Sequence, residues 1–389
     1  METTKPLIFL FSAWYPTEFA PLLGNFVQNH AKAIGKFAQV VVIHPYEDVA
    51  GVQKQRFALD ETQTEHVTEI RIKYKKIRTE NYVGKITRFF RVRKACQKGI
   101  RFAVQKYGKP AVSHVNILTR TSFPALHLKR KYKIPFIITE HWSRYLPEDN
   151  TYKGFFRKKI TQYAVKQAAA VTTVSSQLKE AMLARGLYNA NYQIIPNVVD
   201  AVLFQPCAVE KTKKNILHVS NLEFSSKNFF GILHVINAIA KKRNDFVFNV
   251  VHDGSHSAYL PFVEENYLQD FVVFHGQKSG KELVKHFNEA DFFVLFSNYE
   301  TQGLVLIESF TCGKPVIATR TGGISDIVNQ DNGILVSPRN EDELFDAMCY
   351  MLDHHQNYNS VEIRRYAVEN FSEDAVGKAF LDIYLVAKI

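Results

Sequence analysis

Long apolar runs are missing from this 389-residue sequence. None approaches the roughly 20 residues that a membrane-crossing helix needs. The first apolar stretch, Leu7–Phe11, has no basic segment before it and no small-residue cleavage site after it, so it reads as a strand and not as a signal peptide. Cysteine is scarce. Cys96, Cys207, Cys312 and Cys349 stand far apart, which excludes the paired spacings of zinc motifs and suits inert thiols in a reducing cytoplasm. Low-complexity segments and short-period repeats are also absent. What remains is an ordinary globular composition, 46% apolar and 22% charged, in a chain too long for one core and suited to two domains.

Charge is plentiful but unevenly divided. Residues 1–200 hold 32 Lys and Arg against 14 Asp and Glu, a net +18, and the remainder is net −7, which together give the chain's +11. Such asymmetry points to two domains with different partners. A basic half can meet anionic lipid, an acidic acceptor or nucleic acid, or be only a solvated face. Its longest basic element is a helix expected over Gly84–Tyr107. Lys85, Arg88, Arg91, Lys94, Lys98 and Arg101 form one side, and Ile86, Phe89, Phe90, Ile100 and Val104 the apolar stripe. A stripe of this kind usually packs on a sheet, and a basic outer face is compatible with lipid headgroups.

Strand-length apolar runs alternate with helical patterns from end to end. In the first half they are Leu7–Phe11, Val40–His44, Val112–Asn116, Phe136–Glu140, Ala170–Ser175 and Tyr192–Pro196; in the second, NILHVS, FVFNVV, FVVFHG, DFFVLFS, PVIAT and GILVS. The pattern predicts an α/β protein with two successive doubly wound parallel sheets. The boundary is expected within Pro196–Pro206, where prolines bracket a polar turn and the charge changes sign. That gives a first domain of residues 1–197, a second of 198–371, and a last helix in 372–389 opened by Ser372, Glu373 and Asp374.

Chemistry concentrates between Ser297 and Val328. A buried strand gives way to a polar loop, Asn298 to Gln302, and Gly303 opens a helix carrying Leu304, Val305 and Glu308. Gly313 stops that helix and Pro315 leads into the next strand. A loop at a strand's carboxyl end, followed by a helix N-terminus, is where open α/β sheets bind anionic ligands. The backbone amides of Thr301, Gln302, Gly303, Leu304 and Val305 can cradle a diphosphate. Glu300 and Glu308, with seven residues between them, can serve a sugar and a ribose. Any βαβ unit can carry acids on such a loop, so the pair alone does not identify a site.

The whole stretch resembles the E-x7-E signature of retaining GT-B glycosyltransferases of glycosyltransferase family 4. Matching residues are Ser297, Glu300, Gly303-Leu304-Val305, Glu308-Ser309, Gly313 to Thr319 and Gly322-Gly323-Ile324. The resemblance implies two Rossmann-like domains facing a crevice, with the last helix crossing back to the first domain. It extends to Pro196–Pro206, where Val198 stands in place of the usual glycine of the hinge. It implies a glycine loop over the donor diphosphate at Gly24, although a plain turn is the ordinary reading of one glycine before a helix. It also implies a donor-sugar contact at His141, whereas His114 reads as a core histidine. Two diphosphate-binding cations are expected six positions apart. Lys227 supplies the lysine, but Asn221 stands where the arginine belongs, and asparagine cannot replace its bidentate contact. Arg320 is a candidate substitute.

These readings converge on a retaining transferase that moves a sugar from a UDP- or GDP-sugar to a glycan or lipid-linked acceptor in cell-surface polysaccharide synthesis. Glu300, His141 and Lys227 are the expected catalytic residues. Gly24, Asn221, Thr301, Gln302, Gly303, Leu304, Val305 and Glu308 are the expected donor-binding ones. No cofactor or metal is expected, because no D-x-D motif sits at a strand-to-loop junction. The expected place is the cytoplasm, with peripheral contact at an anionic membrane face. A non-catalytic GT-B scaffold that binds nucleotide-sugar or a partner enzyme is the alternative. A nucleic-acid-binding protein ranks lower, since no binding module or interleaved aromatic motif accompanies the charge.

Overall fold

The structure, a computed structural model, describes residues 5–77, 79, 81–118, 121–149, 151–210 and 212–388. The chain divides into two compact units. The first comprises Met1–Val174, Leu178–Val198 and Glu373–Ile389, and the second Ser175–Gln177 and Val199–Ser372.

The first unit is built on an eight-stranded sheet in the order β3-β4-β2-β1-β5-β6-β7-β8. Its strands are β1 (Leu7–Ser12), β2 (Gln39–Asp48), β3 (Phe57–Gln63), β4 (Val67–Lys75), β5 (Val112–Asn116), β6 (Phe136–Glu140), β7 (Ala170–Thr173) and β8 (Tyr192–Ile194). The helices α1 (Asn25–Gly35), α2 (Tyr82–Tyr107), α3 (Ser122–Tyr132), α4 (Phe155–Gln167) and α5 (Ser176–Ala184) connect them. The central strands β1, β5 and β6 are buried along nearly their whole length because both faces are covered. The hairpin β3–β4 is the departure from the expected strand set, and its pairing is the antiparallel one. In β4, Ile70, Ile72 and Tyr74 alternate with Glu69, Arg71 and Lys73. That half-buried pattern carries no apolar run to mark it.

Helix α2 also departs in part from expectation. Asn81 caps it, accepting from Gly84 N at 2.9 Å. Its second half buries Ala95, Cys96, Ile100 and Ala103. In its first half Ile86 and Phe90 are exposed. Arg88 instead pairs with Glu47 at 3.3 Å, and Arg91 donates to the Lys75 carbonyl at 2.7 Å. The guanidinium groups find acceptors beside β2 and β4, and that turns the apolar side chains outward.

The last helix, α13 (Glu373–Ala387), belongs to the first unit. Phe380, Ile383 and Tyr384 join Ile8, Leu10, Val27 and Ile34 in one core. Lys36 pairs with Asp374 at 2.8 Å, and the Tyr384 hydroxyl lies 2.7 Å from His114 Nδ1. Val198 is buried in the same core and is not among the residues with positive φ, so valine sits there without strain.

The second unit holds a six-stranded sheet in the order β11-β10-β9-β12-β13-β14, with every pair parallel. Its strands are β9 (Lys214–Ser220), β10 (Phe246–His252), β11 (Val272–Gly276), β12 (Phe292–Leu295), β13 (Val316–Thr319) and β14 (Gly333–Val336). The helices are α6 (Phe224–Lys227), α7 (Phe229–Ala240), α8 (Leu260–Glu265), α9 (Gly280–Glu289), α10 (Leu304–Thr311), α11 (Glu341–His354) and α12 (Ser360–Phe371). Strand order reverses between β9 and β12. The loops leaving their carboxyl ends therefore diverge and open a crevice within this unit, the usual ligand position in such a sheet. In the first unit the reversal falls between β1 and β5. No described helix is long and apolar enough to cross a membrane.

Candidate active site

The loop after β12 is fixed from two sides. Thr319 Oγ1 donates to the Ser297 carbonyl at 2.7 Å. Asn298 donates from its backbone N–H to the Ser226 carbonyl at 2.7 Å and from its side chain to the Ser225 carbonyl at 3.0 Å. These bonds tie the loop to α6, whose last residue is Lys227. The result is an ion pair of 2.5 Å between Lys227 Nζ and Glu300 Oε2, with side chains only 16% and 17% exposed. Ser297 Oγ lies 3.4 Å from the same carboxylate.

Gly322 holds the back of this loop. Its φ is +58°, and a Cβ there would fall 1.6 Å from the Glu300 carbonyl oxygen. Glycine alone fits that approach. The next residue, Gly323, donates its N–H to the Thr301 carbonyl at 3.1 Å. Gly303 caps α10 in the left-handed region, φ 79°. The first amides of the helix, at Leu304 and Val305, have no intrahelical acceptor and lie at the positive end of its dipole.

Glu308, on the second turn of α10, makes no hydrogen bond through its carboxylate to any described residue. It keeps partial exposure, yet desolvation pushes its carboxyl up to about 8. Asn221, in the expected arginine position, is exposed and accepts the Glu223 N–H at 3.1 Å, so it closes its own turn. Arg320 is exposed, its Nη2 3.5 Å from the Leu335 carbonyl. Sequence reasoning missed Arg339, whose Nε donates to Asn298 Oδ1 at 3.1 Å. It belongs to no motif, and only the fold brings it to the loop.

In the first unit, Gly24 precedes α1 at φ +75°, and a Cβ would lie 2.4 Å from the Trp14 carbonyl. Trp14 in turn packs on Trp142 at 4.5 Å between ring centroids. His141 follows β6 and is 6% exposed. Its Nδ1 lies 3.1 Å from Asn197 Oδ1, and its Nε2 3.1 Å from Asn116 Oδ1. Burial, and the neighbouring His30, hold it well below the usual histidine range, so the ring is neutral. His30, 5.1 Å away between ring centroids, was not legible as a site residue on the inner face of α1. His114 bridges Tyr384 and Thr139 at 2.7 and 2.6 Å, a core role. Among the described residues no group of three His, Cys, Asp or Glu has metal-holding geometry.

The fold thus gathers Lys227, Glu300, Glu308, Asn221 and the 301–305 segment at the carboxyl ends of β9 and β12. It gathers His141 and Gly24 near those of β6 and β1. A family model described as Glycosyltransferase Family 4 matches residues 24–202, and one described as Glycosyl transferases group 1 matches residues 213–354. An uncharacterized glycosyltransferase of Methanocaldococcus jannaschii is 31% identical over 254 residues, 63% of this chain and 65% of that protein. The chain therefore spans a little under two thirds of that relative's length. Other relatives include a glycogen synthase of Mycobacterium tuberculosis, 24% identical over 68% of this chain and 66% of that protein, and an alpha-monoglucosyldiacylglycerol synthase of Streptococcus pneumoniae, 24% identical over 70% and 66%. Among solved structures, sucrose-phosphate synthase from Thermosynechococcus elongatus has a TM-score of 0.76 at 20% identity, covering 98% of each chain. HepE of Anabaena, in complex with UDP and glucose, has a TM-score of 0.68 at 16% identity, covering 97% of this chain and 98% of that one. With glycosyltransferase domain models matched in order on two parallel-sheet units, this chain has the two-domain GT-B fold of its glycosyltransferase neighbours.

Proposed function

We propose that the chain transfers a glycosyl unit from a nucleoside-diphosphate sugar to a glycan or lipid-linked acceptor, with the anomeric configuration retained and without a metal ion. The second unit takes the donor and the first the acceptor. The observation that carries this reading is the Lys227–Glu300 pair set beside the N-terminus of α10. The UDP in HepE supports a nucleotide donor.

In the reaction the bond between the anomeric carbon and the diphosphate oxygen breaks. The acceptor oxygen bonds to the same face, and its proton leaves with the diphosphate. Negative charge grows on the leaving group while the sugar becomes oxocarbenium-like. The Lys227 ammonium and the amides of Thr301 to Val305 stabilise the first, in place of a divalent cation. Glu300 is positioned at the sugar and Glu308 accepts from the ribose hydroxyls. Without donor, Lys227 neutralises Glu300. A bound diphosphate competes for the ammonium and frees the carboxylate to face the sugar. Buried His141 acts through its backbone and through the position its ring gives the β6 loop.

A thermal-shift screen of UDP- and GDP-sugars, followed by donor hydrolysis, tests the donor and separates an enzyme from a non-catalytic scaffold. Lys227→Ala is expected to lower turnover by about 10²–10³-fold, and chelator to change nothing. An enzyme silenced by EDTA and restored by Mn²⁺ would overturn metal independence. Glu300→Ala should act mainly on kcat, and Glu308→Ala on donor affinity. Unchanged turnover and affinity in both would remove the assignment.

A further inference from the structure

The first unit contains a cavity of about 780 Å³ at the carboxyl end of its sheet, lined among others by Trp14, Trp142, Arg144 and Arg157. Its volume is that of a small-molecule site. Arg144 is 6% exposed, and its Nε is buried without a partner. No hydrogen bond or ion pair to any described residue engages its guanidinium, which lies 3.2 Å from the Trp142 ring centroid. A neutral ring does not cancel a buried charge, and burying one unpaired is costly.

The nearby acids are already committed. Glu140 accepts the N–H groups of Leu118, His141 and Trp142. Asp149 accepts the hydroxyls of Ser143 and Thr151. After desolvation, the like charge of Arg157 also opposes the charge on the Arg144 guanidinium, while Tyr145, Glu140 and Asp149 favour it from nearby without bonding to it. Two cations therefore converge on one cavity with no carboxylate bonded to either.

We infer that this cavity is the acceptor subsite and that it takes a sugar or polyol bearing an oxyanion, either a phosphate or a carboxylate. Arg144 and Arg157 hold the anion, and the packed pair Trp14 and Trp142 forms an aromatic wall for the sugar or polyol. The planar guanidinium matches either oxyanion in bidentate fashion. The inference rests on the glycosyltransferase reading above and gives its acceptor a chemical class.

The test is calorimetric titration with glucose 6-phosphate, glucuronate and glucose, with the donor site filled by UDP and in a second series empty. At least one anionic sugar is expected to bind about tenfold or more tightly than glucose, and more weakly as salt rises. Arg144→Gln and Arg157→Ala should each remove that preference and leave UDP binding unchanged. Arg157 is exposed, so its variant keeps the test standing should Arg144→Gln fail to fold. Preference for glucose 6-phosphate identifies a phosphate acceptor, and preference for glucuronate an acidic sugar. Equal binding of all three, or variants that bind the anions like wild type, would overturn the inference. Failure to bind UDP, with the anion preference intact, would count against the donor reading alone.

Discussion

Glu308→Gln isolates the carboxyl whose burial pushes its pKa up to about 8 from 4.5. The folded state holds this proton more tightly than the unfolded one. Stability is therefore greatest below about pH 4.5, falls as pH rises from there, and levels off above about pH 8. The whole shift corresponds to about 5 kcal/mol at about 1.4 kcal/mol per pH unit. Partial exposure of Glu308 reduces the working figure to about 2 kcal/mol, by solvent screening and relaxation. Glutamine copies the protonated shape without a charge to bury. Wild type and variant should differ least near pH 5 and separate by about 4–8 °C in favour of the variant above pH 8. Paired melting curves from pH 5 to 9, by circular dichroism, measure this. A difference that stays constant across that range would refute the reasoning. The proposed ribose contact adds a second readout, because hydroxyls donating to Glu308 favour its ionised form. Nucleotide binding near neutral pH should then release a fraction of a proton, visible as a buffer-dependent heat.

Gly322→Ala would drive a methyl group into the Glu300 carbonyl at a positive φ. A loss of about 2–4 kcal/mol and a lower kcat are expected; a wild-type melting temperature would show that the loop gives way easily. Tyr384→Phe removes one of the two side-chain partners of His114 and should cost about 1 kcal/mol, read as faster proteolysis of α13 in the native protein. The basic first unit, with Phe90, Phe155 and Phe156 exposed, is expected to float with anionic but not neutral vesicles at low salt. Each basic residue at such a surface contributes about 1 kcal/mol, and binding indifferent to lipid charge would contradict an electrostatic attachment.

The parallel strands were legible because burial on both faces leaves uninterrupted apolar runs, as in Leu7–Phe11 and Val40–Ile43. The hairpin β3–β4 was not, because in β4 the alternation of Ile with Glu, Arg and Lys breaks up any apolar run. The orientation of α2 escaped for a similar reason: Arg88 and Arg91 bond to groups contributed by β2 and β4, far away in sequence. The resemblance to the family signature, more than spacing alone, brought out Glu300, Glu308 and Lys227 as candidates. It could not show that Lys227 and Glu300 bond to one another, since that depends on the loop from β12 meeting the turn at α6. The lack of a bonded partner for Arg144 was equally hidden, because it shows only once the side chain's surroundings are known.

The first unit is interrupted by the whole of the second, and α13 completes its core with Phe380, Ile383 and Tyr384. During translation, β1 to β8 leave the ribosome well before that helix exists. The part of the chain made first is thus the part finished last, with the apolar surface awaiting α13 open to chaperones throughout. The second unit, continuous apart from Ser175–Gln177, can close beforehand. A fragment cut at Val198 inherits the same open surface permanently, so the first half is a poor candidate for separate expression unless α13 is supplied in trans.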